Sequence, residues 1–361
     1  MSVTSIPEKV KLSVWLKAGG RCQYPGCNIP LWRDDLTLLK MNRAYLAHIV
    51  GDKPDGPRGD KDLSDKLKAD PSNIMLLCDT HHRIIDKVQV KEHPVELLQK
   101  FKSEHEERIE RQTAIHAAMR THILLLGTKI GDHRGLVNYE EARDAIMPER
   151  YPATESGIRI DLGQLQLNES DPEFWDLACK QINRTLERLQ DNGVGSGEPV
   201  NHLSIFALAP IPILIYFGRK LGDIVSADIY QRHRSPAGWQ WQELLNDTFD
   251  YQVSGPTVLE KCEKVVIALS LSGRIHPEEI EKAIGDKLDI YNITIPNPNV
   301  TFLKAKEQLE LFRKHWRLLL SKIRESHGVE CEVHVFPAVP APIAIEMGRA
   351  ILPNVDPNMY I

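Results

Sequence analysis

The sequence predicts a chain in two parts. A small α+β domain stapled by a metal ion comes first, followed by an α/β domain built from two fused copies of one unit related by pseudo-twofold symmetry. Three observations predict this. Cysteine and histidine pairs at metal-ligand spacing, Cys22-x4-Cys27 and Cys78-x2-His81, lie close together near the start. Short apolar strands alternate with helix-length stretches from residue 121 onward. Residues 206–221, FALAPIPILIYFGRKL, return as residues 336–351, FPAVPAPIAIEMGRAI.

Bulk composition bounds the rest. The 361 residues suffice for two or three domains, and 42% hydrophobic with 26% charged residues is ordinary for a globular chain. A net charge of -5 excludes a molecule that is basic throughout. Residues 1–110 are nearly neutral, with about 18 basic and about 17 acidic side chains, so the acidic excess lies in the later two thirds. The longest apolar run, Leu203 to Phe217, is broken by Pro210 and Pro212, so no membrane partner is expected. The opening MSVTSIPEKVK lacks the apolar core of a signal peptide, and a cytoplasmic location is expected. In a reducing compartment the early cysteines read as metal ligands, and Cys179, Cys262 and Cys331 as small buried hydrophobes.

Along the chain, residues 5–18 read as a short helix stopped by Gly19-Gly20. The first cysteine pair brackets a tight Tyr24-Pro25-Gly26 turn. Residues 43–50 read as a strand running into a loop, and Asp52 to Asp70 as a polar surface loop. Pro71-Ser72-Asn73 reads as a helix entry, with Met75 to Lys87 bearing the ligands. Leu97, Leu98, Phe101 and Ile109 give residues 95–119 helical spacing, hence a connecting helix. Strands are expected at His122 to Gly127, Leu203 to Ala209, Val265 to Ser270 and Val333 to Val339, and helices at Glu173 to Gln190 and Thr301 to Ser326.

The repeat matches without a gap at Phe206/Phe336, Pro210/Pro340, Pro212/Pro342, Ile213/Ile343, Ile215/Ile345, Gly218/Gly348 and Arg219/Arg349. In each copy a strand ends at Pro-x-Pro and a helix begins soon after. Loops at strand C-termini are where α/β sheets bind ligands, so two such ends predict one shared pocket.

Three thiolates and one imidazole, Cys22, Cys27, Cys78 and His81, suit structural zinc. Either His81 or His82 can complete the set; the i, i+3 relation to Cys78 selects His81. His82 and Asp86, four apart on a helix, then share a face able to hold a second divalent ion. His48 can deprotonate water near neutral pH, while Asn73 can fix the His48 loop or offer a carbonyl to the metal. In the later part, Tyr230, Arg232, Trp239 and Trp241 interleave aromatics with arginine, which suits bases and phosphates. Ser270-x-Ser272-Gly273 offers hydroxyls and backbone N–H groups to an anion. Trp239 and Trp241 read equally well as plain core.

The order Cys22-x4-Cys27, Ala47-His48-Ile49, then Asn73-Ile-x-x-Leu77-Cys78-x-x-His81-His82 resembles the HNH endonuclease family, with its ββα-metal fold, over about residues 20–90. The resemblance implies His48 as general base, Asn73 as a positioning residue and His82 as ligand of Mg²⁺ or another divalent ion. Many members have Asp, Glu or His immediately before the base, where this chain has Ala47. Asp86 is the candidate replacement, with Asp52 and Asp60 behind it.

Phe206 to Pro212, Tyr230 to Trp241, Ser270 to Gly273 and Ala341 to Arg349 resemble the SAVED family, built from two fused Rossmann-like (CARF-like) units, over about residues 120–361. That resemblance implies a cyclic di- or trinucleotide activator in bacterial CBASS antiphage defence. The implied ligand contacts are Pro210, Pro212, Tyr230, Arg232, Trp239, Ser270, Ser272, Gly273, Pro342 and Arg349.

The expected organisation is therefore a nuclease domain over 1–94, a connecting helix over 95–119 and a sensor over 120–361, its units roughly 120–255 and 256–361. The expected activity is cyclic-nucleotide-activated, divalent-metal-dependent cleavage of double-stranded DNA with little sequence specificity. The active form expected is a homo-oligomer, a dimer assembling to a tetramer or higher. Two rival readings stand: a constitutive HNH restriction-type nuclease with a DNA-reading C-terminal domain, and a non-catalytic ligand sensor stapled by zinc.

Overall fold

The computed structural model describes every residue except 1–4, 35, 131–132, 135–136, 168, 193–198, 224, 244–249, 257–263 and 286–287. Cys262 therefore lies outside the described residues. The chain divides into two compact units, Met1–His116 and Ala117–Ile361.

In the first unit, α1 (Glu8–Lys17) stops where Gly19 and Gly20 take φ +58° and +63°. The chain then folds into a knuckle closed by the bridge between Arg21 and Pro30. Next come β1 (Ala44–His48), α2 (Ser64–Leu67), a 3-10 turn at Pro71–Asn73, β2 (Ile74–Cys78), α3 (Asp79–Arg83), a π turn at Ile84–Val88 and α4 (Val95–Thr113). Strands β1 and β2 pair antiparallel with His48 opposite Ile74 and Ala44 opposite Cys78.

The expected helix entry at Pro71 is only one 3-10 turn, capped by the Asp70 carboxylate accepting from Ser72 N. Residues 74–78 are strand because all five are buried, and such a continuous apolar run shows no alternation to read in the sequence. Helix α4 ends at Thr113, and it packs in this unit through Leu98, beside Val14, Leu31, Ile49, Met75 and Leu77.

The second unit opens with β3 (Arg120–Gly127), the small ribbon β4 (Lys129–Ile130) and β5 (His133–Arg134), α5 (Tyr139–Ile146), β6 (Tyr151–Pro152) and β7 (Ile158–Asp161). It continues with α6 (Pro172–Asn192), β8 (His202–Leu208), α7 (Ile211–Leu221), β9 (Ser226–Tyr230), and the ribbon β10 (His233–Arg234) and β11 (Ala237–Gly238). The last stretch holds β12 (Gln252–Ser254), β13 (Lys264–Ser270), α8 (Pro277–Ile284), β14 (Asp289–Thr294), α9 (Lys306–His327), β15 (Glu332–Ala338), α10 (Ala341–Arg349) and β16 (Met359–Tyr360). Helix α9 begins five residues later than the sequence suggests.

Two sheets result. In one, β3 pairs β6 near its start and β7 near its end, and also β8, which pairs β9, all parallel. The other runs β12-β14-β13-β15-β16, and only β12 is antiparallel. Strands β7-β3-β8-β9 therefore correspond to β14-β13-β15-β16, and α6–α7 to α9–α10. The predicted duplication is visible as this shared strand order. Because β12 joins the second sheet, that sheet begins before residue 256.

The repeat helices α7 and α10 meet at their matched glycines. A Cβ added to Gly218 would lie 2.1 Å from the Ile345 carbonyl oxygen, and one added to Gly348 would lie 2.0 Å from that of Ile215. Two backbones approach this closely only where both helices lack a side chain. Helix α9 braces α10 through Trp316 Nε1 donating to the Met347 carbonyl (3.2 Å), and α6 braces α7 through Tyr216 Oη donating to Asn183 Oδ1 (3.0 Å). Gly218→Ala and Gly348→Ala are each expected to destabilise the second unit by ~3 kcal/mol, read from the urea midpoint. Ala at the half-buried Gly273, whose added Cβ meets nothing within 4 Å, serves as the neutral control.

Candidate functional site

The first unit gathers four metal-ligand atoms. Gln23, buried in the knuckle, donates its backbone N–H to the Leu76 carbonyl (2.9 Å), and its side-chain Oε1 accepts from Leu76 N (2.7 Å). This graft onto the edge of β2 sets Cys22 beside Cys78, whose N–H points at Cys22 Sγ (3.4 Å). Cys78 is also the N-cap of α3, so His81 returns one turn later with Nδ1 3.1 Å from Cys78 Sγ. The ligand atoms of Cys22, Cys27, Cys78 and His81 all lie within 4.8 Å of one another. Ligands of a tetrahedral zinc–thiolate site are about 3.8 Å apart, so the donor set and its spacing suit that ion. Burial pushes the Cys22 and Cys27 thiols up and lowers His81 below the usual imidazole value. A neutral imidazole is ready to ligate, and a bound cation is what would offset burial of the thiolates. The His81 ring stacks on Tyr24 (centroids 4.1 Å), whose hydroxyl donates to His93 Nε2 (3.0 Å).

His82, next along α3, points elsewhere. Its ring stacks on Tyr45 (4.7 Å) and its Nε2 lies 3.1 Å from Asp86 Oδ2. His48, His82, Asp86, Asp52, Lys53, Arg58 and Lys87 line one cavity of about 290 Å³. His48 is 7% exposed, and its Nε2 donates to the Lys68 carbonyl at the C-terminal end of α2 (2.9 Å). That bond fixes the tautomer and leaves the lone pair on Nδ1.

Asn73, Ala47 and Asp86 have surroundings of their own. Asn73 does not line the cavity. Its Oδ1 accepts from Val50 N (2.7 Å) and its Nδ2 donates to the Val50 carbonyl (2.9 Å), so it clamps the loop just after His48. Ala47 lies in the hydrophobic core, because strand alternation turns it away from His48. Asp86 is already engaged: Oδ2 faces His82, and Oδ1 accepts from Arg58 Nη2 (2.5 Å). Burial alone would raise the Asp86 carboxyl, but hydrogen bonds from His82 and Arg58 outweigh it and hold it below the usual carboxylate range. Among the described residues, no group of three His, Cys, Asp or Glu gathers in this cavity as the four do at the cysteine cluster. Asp60 accepts from Asp62 N and Leu63 N and is absent from the cavity wall.

Arg58 was not legible as a site residue. Its loop, Gly51 to Gly59, is folded so tightly that a Cβ at Gly59 would lie 2.3 Å from the Lys53 carbonyl oxygen. The fold buries the guanidinium, which donates to the carbonyls of Ile49 (2.8 Å), Ile85 (2.6 Å) and His48 (3.2 Å) as well as to Asp86. The supposed surface loop thus ties the His48 strand to the His82 helix. The only local signal was its glycine spacing.

The second unit holds a cavity of about 470 Å³ at the C-terminal ends of β8, β9, β13 and β15, two strands from each repeat. Arg232 and Ser272, both expected, line it, together with Gln231, His233, Arg234, Thr301 and Lys304. Among the described residues, no carboxylate lines it. The other expected contacts lie elsewhere. Tyr230 and Trp239 are buried in the core, where both pack on Phe206. Pro210 is the N-cap of α7, and Pro212 and Pro342 sit at matching places in the first turns of α7 and α10, so the prolines shape helix starts. Ser270 Oγ accepts from Ile275 N (3.1 Å), and Gly273 is absent from the wall. Arg349 donates to the carbonyls of Gly222 (2.9 Å) and Val225 (3.2 Å), joining the two repeats. The backbone N–H groups of Leu271 and Ser272 both donate to the Ala338 carbonyl, so they are not held out to an anion. Even Arg232 is partly engaged, with Glu141 (2.6 Å) and over the Trp239 ring (5.6 Å).

A duplicated parallel α/β plan with a cationic cavity at its strand ends defines a ligand-receiving sensor domain. Residues 180–361 match the family model SAVED, described as "SMODS-associated and fused to various effectors sensor domain", and the chain belongs to this family. Among solved structures it is similar to the Acinetobacter baumannii Cap4 SAVED/CARF-domain containing receptor. With 2'3'3'-cAAA that receptor aligns at 13% identity and TM-score 0.39, covering 71% of this chain and 55% of that one. The form with 3'3'3'-cAAA aligns at 13% and 0.41, covering 73% and 57%. The Moraxella osloensis Cap4 receptor aligns at 11% and 0.39, covering 80% and 66%. The chain thus spans between 55% and 66% of the length of these receptors. No curated protein matches it.

Two outcomes are expected. Cys78→Ser and His81→Ala lose bound zinc, measured by elemental analysis, whereas His82→Ala keeps it, because His82 faces the other cavity. Arg58→Met lowers stability by about 3 kcal/mol, since it strands Asp86 and three carbonyls, read by denaturant unfolding.

Proposed function

We propose that the chain is a metal-dependent HNH-type DNA endonuclease switched on by a cyclic oligonucleotide, acting in bacterial CBASS defence. One observation carries the nuclease half: His48 and His82 share a cavity walled by Lys53, Arg58 and Lys87, on a strand–strand–helix frame beside a Cys₃His cluster. Membership of a sensor family fused to effectors supports the other half.

In this reading Cys22, Cys27, Cys78 and His81 hold structural zinc. His48 Nδ1 takes a proton from water as the water oxygen bonds to phosphorus, and the bond to the leaving 3′ oxygen breaks. A Mg²⁺ or similar ion held at His82 would neutralise charge on that phosphate. Asp86 orients His82 under the hold of Arg58, and Lys53 and Lys87 attract the phosphate backbone. Double-strand cleavage needs two such sites in register, so a ligand that favours a homo-oligomer raises activity by population shift.

The test is digestion of supercoiled plasmid with Mg²⁺ and a panel of cyclic di- and trinucleotides, including both cAAA isomers. Degradation to short fragments is expected with at least one ligand and not without it. His48→Ala is expected to reduce the rate roughly 10²- to 10⁴-fold. Discrete fragments without any ligand would instead indicate a restriction-type nuclease. Ligand binding with intact DNA under every divalent ion would leave a zinc-stapled sensor.

A further inference from the structure

The strand-end cavity is not uniform. Arg234 and Lys304 line it with positive charge, and among the described residues no carboxylate pairs with either. Gln231 and His233, on the segment leaving β9, form a different zone. Gln231 Nε2 donates to the Arg232 carbonyl (2.7 Å). That bond settles which end of the amide is oxygen, since only the nitrogen can donate. Gln231 Oε1 is therefore a fixed acceptor, buried, and without a partner among the described residues. His233 is 8% exposed, and its Nε2 is likewise buried and without a partner among the described residues. Burial, and then the Arg232 charge, lower His233 below the usual imidazole value, so it offers a neutral ring edge. Trp241 holds that ring edge-on at 6.0 Å.

Buried polar atoms normally find partners, and two neighbours in sequence that do not, both on one cavity wall, point to a ligand that supplies them. A phosphate cannot satisfy Gln231 Oε1, because two acceptors do not bond. A nucleobase edge can, through an amino or imino N–H.

We propose that Gln231 and His233 read a nucleobase of the bound nucleotide, with Gln231 Oε1 accepting a base N–H, while Arg234 and Lys304 hold its phosphates. This rests on the cyclic-nucleotide reading above and adds to it the residues that set base preference. Phosphate contacts carry affinity without sequence information, and base-edge contacts carry the choice.

Calorimetry on the full chain tests it. The ligands are cyclic di- and trinucleotides of adenine and guanine. Analogues of the best binder follow, one lacking the base's exocyclic amino group and one methylated on its ring nitrogen. Gln231→Met keeps the shape and removes the acceptor. It is expected to weaken the preferred ligand about 10- to 100-fold, and that loss is not added to the loss from one of the analogues, since both delete the same bond. Arg234→Ala is expected to weaken all ligands by a similar factor and to flatten their salt dependence. Wild-type binding of the analogues needs no variant, so the expectation stands even if Gln231→Met folds poorly. Binding by the wild type with neither analogue weakened, or with losses that simply add to those of Gln231→Met, overturns the base-reading assignment alone. No binding of any cyclic nucleotide by the wild type overturns the reading beneath it, and the assignment with it.

Discussion

The second unit depends on one contact, the crossing of α7 and α10 at Gly218 and Gly348. Each glycine lies under a carbonyl of the other helix, so neither tolerates a side chain. Because the two helices are copies of one sequence, the contact is reciprocal. Each helix follows a strand, β8 or β15, whose end reaches the shared cavity. The crossing thus converts a tandem duplication into a single composite site. Arg349 reinforces it by spanning to carbonyls of the first repeat, which explains why an arginine expected at the ligand is found in the scaffold.

The first unit has its own organising constraint, closure of the Cys₃His cluster. The four ligands come from a knuckle, a strand end and a helix start, none of which is long enough to be stable alone. Gln23 sets the knuckle on β2 with backbone-like bonds, so the cysteines meet in a register the strand dictates. The same helix turn then sends His81 to the cluster and His82 to the opposite cavity. Adjacent residues thus face different sites, which follows from the rotation of about 100° per residue along a helix.

The two cavities solve related electrostatic problems differently. In the first unit the cation Arg58 is buried and fully occupied by three carbonyls and Asp86, so it acts as a brace and leaves Lys53 and Lys87 at the wall. In the second, Arg232 is braced by Glu141 and Trp239, while Arg234 and Lys304 lie on the cavity wall. Each cavity thus has one charged group occupied by its neighbours and others on its wall, in a chain whose net charge alone hints at neither.

Patterns that are local or repeated could be read from the residues. The cysteine and histidine spacings named the metal cluster, because ligand chemistry restricts both residue type and separation. The repeat named the duplicated α/β plan, because segments that share their helix-start prolines, apolar positions and glycine fold alike. The clamp Asn73 makes on Val50 was open to the sequence only as one of two alternatives. What the tertiary structure alone decided were the contacts across long separations. It buried Arg58 from an apparently polar loop, and it drew Tyr230, Trp239 and Arg349 into the scaffold. It also placed Gln231, His233, Arg234 and Lys304 on the cavity wall. A residue's type says what bonds it can make, but which partner it meets depends on how strands and helices distant in sequence come together, and on which face of each is left for packing.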